Sequence, residues 1–236
     1  MFKTAERFGV NTYVFLLAIS FVTFSGFAGA QANKKPKAST EIQNPALQVS
    51  LPELRSLQAK IQAHKFLSLN FQQSIYKKLR NKTIRNQGAA YFKKPSMFHW
   101  KFHHPEKEEW IYDGTKLFHY FPDKKVAQEY SAMASKGKNL REIVSMVLDF
   151  DSLLNRYSLD SSRKEQGRVV LSLKPKQEGE ITGVQLTIDN RAYYVREVKL
   201  FFEGGNNSTV QFSDPKYSEL KDSFRIPEGV KISKPI

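Results

Sequence analysis

The sequence predicts a mainly β chain with helices (α+β), a single strongly curved antiparallel sheet or open barrel of about ten strands with two or three helices over its apolar side. Short stretches of two-residue apolar alternation, separated by turn signals, run from Phe66 to Phe212. A helical period replaces them in only two places. The 18 Phe, 10 Tyr and 2 Trp among 236 residues also favour strands.

The first 30 residues have the form of a secretory signal. Lys3 and Arg7 precede an uncharged apolar run from Tyr13 to Phe24, and Ala28-Gly29-Ala30 supplies a small-residue cleavage site before Gln31. The strongly apolar part is too short for a membrane span of about 20 residues. Residues 31–49, with Lys34, Lys35, Pro36 and Lys37 among polar residues, have no period and read as a flexible basic leader. Order is expected from residue 50, with 50–236 forming a single domain. Ser50-Leu51-Pro52-Glu53 matches a capping box with proline in the first turn, and Leu51, Leu54, Leu57 and Ile61 form the apolar stripe of a helix to about His64.

Strands follow. Leu67, Leu69, Phe71 and Ile75 alternate with polar residues, and further strands are expected at 88–92, 97–103, 109–112, 117–121 and 126–130. Asp113-Gly114 marks a hairpin of the type I′ class, which needs positive φ at both central residues. Leu140, Ile143, Val144, Val147 and Leu148 then follow helical spacing, with a second turn around Ser152–Tyr157. Alternation resumes at Val169–Leu173, Val184–Ile188, Tyr194–Phe202 and Val210–Phe212. The short connections predict antiparallel meander order throughout.

Composition removes whole classes of function. No cysteine is present, so disulfides, thiolate metal sites, cysteine nucleophiles and cysteine-linked lipid are excluded. The net charge is +14, and loss of Lys3, Glu6 and Arg7 with the signal leaves +13. Such basicity suits nucleic acid, an anionic membrane or an anionic protein. Export disfavours nucleic acid, and no zinc-finger spacing or basic heptad helix supports it. His99, His103, His104 and His119 lie on neighbouring strands without carboxylates at obvious ligand spacing, so no metal and no cofactor are expected. Neither a G-x-S-x-G elbow nor a phosphate-cradling glycine loop occurs, and Glu108 and Glu109 diverge as strand neighbours. No catalytic constellation is seen. What remains is an aromatic surplus, in which Phe98, Trp100 and Phe102 share one strand face and Trp110 with Tyr112 another. It reads either as an ordinary core or as the wall of an apolar ligand cavity under a movable helix.

Several spaced motifs resemble those of the outer-membrane lipoprotein carrier (LolA) family. Phe71-Gln72-Gln73 is similar to its F-x-Q strand, and Gly88, Lys94-Pro95, Phe98, Trp100 and Pro105 to its G-x5-R-P-x2-F-x-W-x4-P core. Asp113-Gly114, Leu117, Tyr120 and Pro122 resemble its hairpin, and Phe224-Arg225-Ile226-Pro227-Glu228-Gly229-Val230 its closing segment. The resemblance implies an incomplete antiparallel β-barrel with a helical lid over an apolar cavity, and a monomeric, non-enzymatic periplasmic chaperone. Its partners would be acylated lipoproteins, an inner-membrane ABC-type releasing complex and an outer-membrane acceptor lipoprotein. It further implies that Phe98, Trp100, Ile61, Leu140, Ile143 and Val147 line the acyl cavity and its lid, with Lys94 as the lid latch. The family usually has arginine at the latch; lysine offers a point charge in place of a planar fork, implying a looser latch or one that draws on Lys93 or another group. A same-fold lipid-binding or lipoprotein-sensing module with different cargo remains the alternative. Such a carrier has a physical rationale, since an acyl chain of about sixteen carbons costs on the order of 10 kcal/mol to leave in water.

Export of the full chain from a bacterial host is expected to give a mature protein beginning at Gln31, measured by intact mass; a product that keeps residues 1–30 would refute the signal assignment.

Overall fold

The computed structural model describes residues 49–131, 137–219 and 224–234. The signal segment lies outside them, as does the leader except for Val49. That residue is buried and donates its N–H to Ser162 Oγ at 2.9 Å, so the ordered domain includes it.

Helix α1 (Leu51–Gln62) begins at the expected capping box: Ser50 accepts from the Glu53 amide, and the Glu53 carboxylate accepts from the Ser50 amide at 3.0 Å. Such a cap contributes about 1 kcal/mol. The apolar stripe carries buried Leu54, Leu57 and Ile61. The expected central helix is α2 (Lys138–Leu148), and a separate α3 (Phe150–Arg156) starts where Asp149 leaves helical backbone and caps the Ser152 amide at 3.0 Å.

Twelve strands, two more than expected, form one sheet: β1 (Phe66–Lys77), β2 (Lys82–Lys93), β3 (Met97–His104), β4 (Glu108–Tyr112), β5 (Lys116–Phe121), β6 (Val126–Ser131), β7 (Tyr157–Glu165), β8 (Arg168–Pro175), β9 (Ile181–Asp189), β10 (Tyr194–Phe202), β11 (Asn207–Lys216) and β12 (Lys231–Ser233). The order is β12-β6-β5-β4-β3-β2-β1-β11-β10-β9-β8-β7, so the sheet stays open with β12 and β7 at its edges. Two features correct the expected meander. Strand β1 pairs with the distant β11, joining two meanders, and β12 pairs with β6 in parallel. The unforeseen strands lack alternation because they are edges: β7 buries only Tyr157 and Ser162, and β12 is exposed throughout.

Register sorts the side chains. Phe71 faces Gly88 and Phe212, Trp100 faces Ala90 and Trp110, and Val198 faces Leu186 and Val210, all on the helix-covered side. The β4–β5 hairpin forms where Asp113-Gly114 predicts it, but only Gly114 has positive φ (+103°), so it is not type I′. Asp113 Oδ1 instead accepts from the Thr115 and Lys116 amides at 2.8 Å each.

Gly88 shows why one motif position must be glycine. It sits at a register shift opposite Phe102, and an added Cβ would lie 1.9 Å from the Lys101 carbonyl oxygen and 2.9 Å from the Phe71 ring. A backbone oxygen cannot swing aside. Gly88→Ala is therefore expected to destabilise the domain by roughly 2 kcal/mol or more, lowering the melting temperature by several degrees in thermal unfolding by circular dichroism; an unchanged midpoint would contradict the packing.

Candidate functional site

The helix-covered face is a continuous aromatic surface. Trp100 stands at its centre, with ring centroids 4.8 Å from Phe71, 5.8 Å from Phe212 and 6.0 Å from Phe92. Its indole N–H is buried with no hydrogen-bond acceptor among the described residues. A buried donor of that kind costs about 1–3 kcal/mol when unmet. Phe98 packs beside it, 5.8 Å from Tyr112. The described helical side chains that close this face are apolar too: Ile61 from α1, and Leu140, Ile143, Val144 and Val147 from α2, all buried. All six expected lining residues, Phe98, Trp100, Ile61, Leu140, Ile143 and Val147, are buried.

Polar contacts pin the helices at their rims. Lys94 Nζ donates to the Ile61 carbonyl at the last turn of α1, 3.0 Å away, so the expected latch residue touches the expected lid. Burial pushes the Lys94 ammonium below its ordinary 10.5. At the other end of α1, Glu53 pairs with Lys164, whose hydrogen bond, with those from Ser50, holds the carboxyl at about 2. Lys60 Nζ donates to Tyr193 Oη at 3.0 Å and lies over that ring, and His64 stacks on Tyr217 with centroids 4.0 Å apart. Glu142 joins α2 to the following segment, accepting from Arg156 at 2.6 Å and from Tyr157 Oη at 2.7 Å. Burial and that carboxylate raise the Tyr157 phenol well above its usual range.

Two His–Glu pairs, one buried and one partly buried, went unforeseen. His119 Nε2 lies 2.8 Å from Glu108 on the helix-covered face, with Trp110 stacked on the imidazole at 4.0 Å and 11°. His99 Nε2 lies 2.8 Å from Glu109 on the opposite face, where Lys101 also binds that carboxylate at 3.0 Å. The adjacent glutamates do diverge, and each finds a partner on its own face. Hairpin register carried the signal: counting outward from the β4–β5 and β3–β4 turns makes each pair a diagonal neighbour. The histidines are thereby split between faces, and no group of three or more metal-ligating side chains forms among the described residues.

A groove of about 480 Å³ lies on the face away from the helices. Gln72, Arg163, Arg168, Gln185, Thr187 and Arg196 are among the residues that line it. Its polar wall does not suit a hydrocarbon chain.

Burial pushes the Glu109 carboxyl up, but the hydrogen bonds and charges of His99 and Lys101 outweigh it and hold the group below its ordinary 4.5. The stability contributed by the ionised form is present above pH 4.5 and is lost as pH falls through the lower folded value. Glu109→Gln is expected to lower stability at neutral pH and to flatten its decline below that value, measured by urea unfolding across pH; parallel pH profiles for both proteins would refute this.

Comparison with known proteins adds to the geometry. Residues 62–226 match the family model for "Outer membrane lipoprotein carrier protein LolA". The outer-membrane lipoprotein carrier protein of Pseudomonas entomophila is 25% identical over 150 residues, covering 61% of this chain and 70% of the relative. That of Chromohalobacter salexigens is 23% identical over 172 residues, covering 70% and 79%. Among solved structures, an uncharacterized conserved protein from Thermus thermophilus superposes with a TM-score of 0.51 at 10% identity, covering 77% of this chain and 99% of that one.

Proposed function

The chain belongs to the outer-membrane lipoprotein carrier (LolA) family, and from that premise we propose that it is a periplasmic, non-enzymatic chaperone that shelters the acyl chains of lipoproteins between α1, α2 and the aromatic face of the sheet. The observation that carries this reading is the pairing of that aromatic face with helices whose buried side chains are apolar and whose polar contacts lie at the rim. Phe98, Trp100, Ile61, Leu140, Ile143 and Val147 are the residues proposed to meet the hydrocarbon, and the indole N–H of Trp100 is a donor for a cargo ester oxygen. An inner-membrane ABC-type releasing complex as donor and an outer-membrane lipoprotein as acceptor complete the route.

In the structure the helices cover the face themselves. Cargo must displace those contacts, so each bond that holds the closed form weakens net cargo affinity. Lys94 is proposed to set that balance through its bond to the Ile61 carbonyl. Its single donor contact there supports the looser latch over one centred on Lys93, whose ammonium lies over the Phe66 ring at 5.8 Å.

The test is to purify the exported protein without detergent and quantify co-purifying triacylated lipoprotein by intact mass. Wild type is expected to carry cargo. Trp100→Phe, which keeps an aromatic ring but removes the N–H and the five-membered part of the indole, is expected to lower occupancy about threefold to tenfold, read on protein that circular dichroism shows to be folded. Lys94→Ala is expected to raise retention about fivefold, one modest charged hydrogen bond being removed from the closed form. Phospholipid alone, or no lipid, under conditions where an established carrier retains lipoprotein would overturn the cargo assignment.

A further inference from the structure

The hairpin that joins β1 to β2 runs well past the core. From Ser74 to Gln87 no residue is buried, and at the tip Leu79 is 98% exposed. Around that leucine stand Lys77, Lys78, Arg80 and Lys82, followed by Arg85. Many cations elsewhere are paired, such as Lys101 with Glu109, Arg156 with Glu142 and Lys164 with Glu53. The five at this hairpin take part in no ion pair among the described residues.

The tip is braced. A short 3₁₀ turn, Lys78–Arg80, closes on Asn81 with φ +44°, and the Asn81 amide donates to the Lys78 carbonyl at 3.0 Å. The neighbouring β10–β11 hairpin supports it: Asn206 Oδ1 accepts from the Lys78 amide at 2.9 Å, and the Lys78 stem lies over Gly205, where a Cβ would meet it at 2.7 Å. The turn of that neighbour, Glu203–Gly205, carries one acid, Glu203. It also brings a second exposed hydrophobe. Phe201 faces Asn207, which faces Tyr76 on β1, and Lys199 lies over the Phe201 ring at 5.0 Å. Two of the three large apolar side chains that are exposed among the described residues, Leu79 and Phe201, thus lie at one end of the sheet within a ring of cations.

We propose that this braced double hairpin is a docking site for an anionic phospholipid surface, with Leu79 entering the headgroup–acyl boundary and Lys77, Lys78, Arg80, Lys82 and Lys199 engaging lipid phosphates. The chemistry favours lipid over a folded acidic partner. An acidic protein would neutralise the cations but has no use for a leucine projecting alone from a tip, whereas a bilayer interface takes the apolar tip and the phosphates at one depth. The attachment is reversible by construction, since one leucine and a few cations give far less than a spanning helix. Interfacial attachment is independent of what occupies the aromatic face, so it stands or falls separately from the carrier reading.

The test uses the exported, processed chain with vesicles of phosphatidylcholine alone or mixed with phosphatidylglycerol, scored by co-flotation. Binding is expected only with phosphatidylglycerol and is expected to weaken as salt is raised. Replacing Lys77, Lys78, Arg80 and Lys82 by glutamine should cost roughly fivefold per charge, and Leu79→Ser about tenfold, with melting temperatures unchanged because these side chains lie outside the core. As the chain has no cysteine, Leu79→Cys can be labelled at a single position with a polarity-sensitive dye. Its emission should shift to the blue on anionic vesicles, while the same dye at Thr115→Cys, at the opposite end of the strands, should not respond. Equal binding to both vesicle types, binding indifferent to the substitutions at 77–82, or binding to an acidic polypeptide with no dye shift on vesicles would each overturn the proposal.

Discussion

The fold depends on the seam between β1 and β11. Each half of the sheet is a run of local hairpins that could form from short-range pairing, but neither half has a complete interior. Pairing Phe71 with Phe212 and Gln73 with Val210, across some 140 residues of sequence, puts the aromatics of β2–β4 beside the aliphatics of β8–β10. Only then does one apolar face exist that is wide enough for α1 to cross. The helix and the residue that leads into it make contacts on both sides of the seam, Val49 to Ser162 and Glu53 to Lys164 of β7 near the N-terminus, and Ile61 to Lys94 beyond β2 at the C-terminus. Such long-range closure costs loop entropy before it is rewarded.

Much of this was legible in the residues because burial is one-sided over most of the sheet. Strands with one solvated face announce themselves by alternation, as at Leu67, Leu69 and Phe71 or at Val184, Leu186 and Ile188, and the α1 boundary is written in Ser50 and Glu53. Where burial is not one-sided, the pattern vanished. The far halves of β1 and β2 reach beyond the core and are wet on both faces, so Lys82–Gln87 gave no strand signal. Edge strands β7 and β12 failed for the same reason. The β1–β11 pairing was illegible for a different one, since no local property of Phe71 or Phe212 names its partner. That Phe98, Trp100, Ile61, Leu140, Ile143 and Val147 are buried was readable from type and spacing, whereas the pairs Glu108–His119 and Glu109–His99 required register, which periodicity alone does not supply.

Those pairs explain how an aromatic sheet tolerates charge in its interior. An isolated buried carboxylate is strongly disfavoured, but each glutamate here reaches an imidazole one strand away, and Trp110 shields the His119 ring on its flat side. Polar groups are thus dealt with in pairs within the sheet, Glu108–His119 on the helix-covered face and Glu109–His99 on the other, while the buried side chains that α1 and α2 bring are apolar. At the hairpin end, Gln73, Asn86 and Ser208 do the same with neutral groups, Gln73 donating to Ser208 at 3.2 Å and accepting from Asn86 at 2.9 Å. The apolar field under the helices therefore ends in a satisfied polar border before the exposed basic tip begins.

Closure by helices rather than by a thirteenth strand has a thermodynamic consequence. A strand that completed a barrel would hold its place through backbone hydrogen bonds, and withdrawing it would orphan a donor or acceptor at nearly every residue. A helix satisfies its own backbone internally, so the contacts that hold α1 to the sheet run through side chains, among them the Lys94 Nζ bond to the Ile61 carbonyl, the Lys60 bond to Tyr193, the Glu53–Lys164 pair and the packing of Leu54, Leu57 and Ile61. The apolar contacts are what an incoming hydrocarbon can replace in kind, and the rim contacts are few and reach solvent on separation. On the proposed carrier reading, a face covered by its own helices and one covered by an acyl chain would differ little in free energy compared with the cost of leaving either in water. Such a balance would let the face accept a chain and give it up again, and it would follow from which secondary structure closes the open sheet.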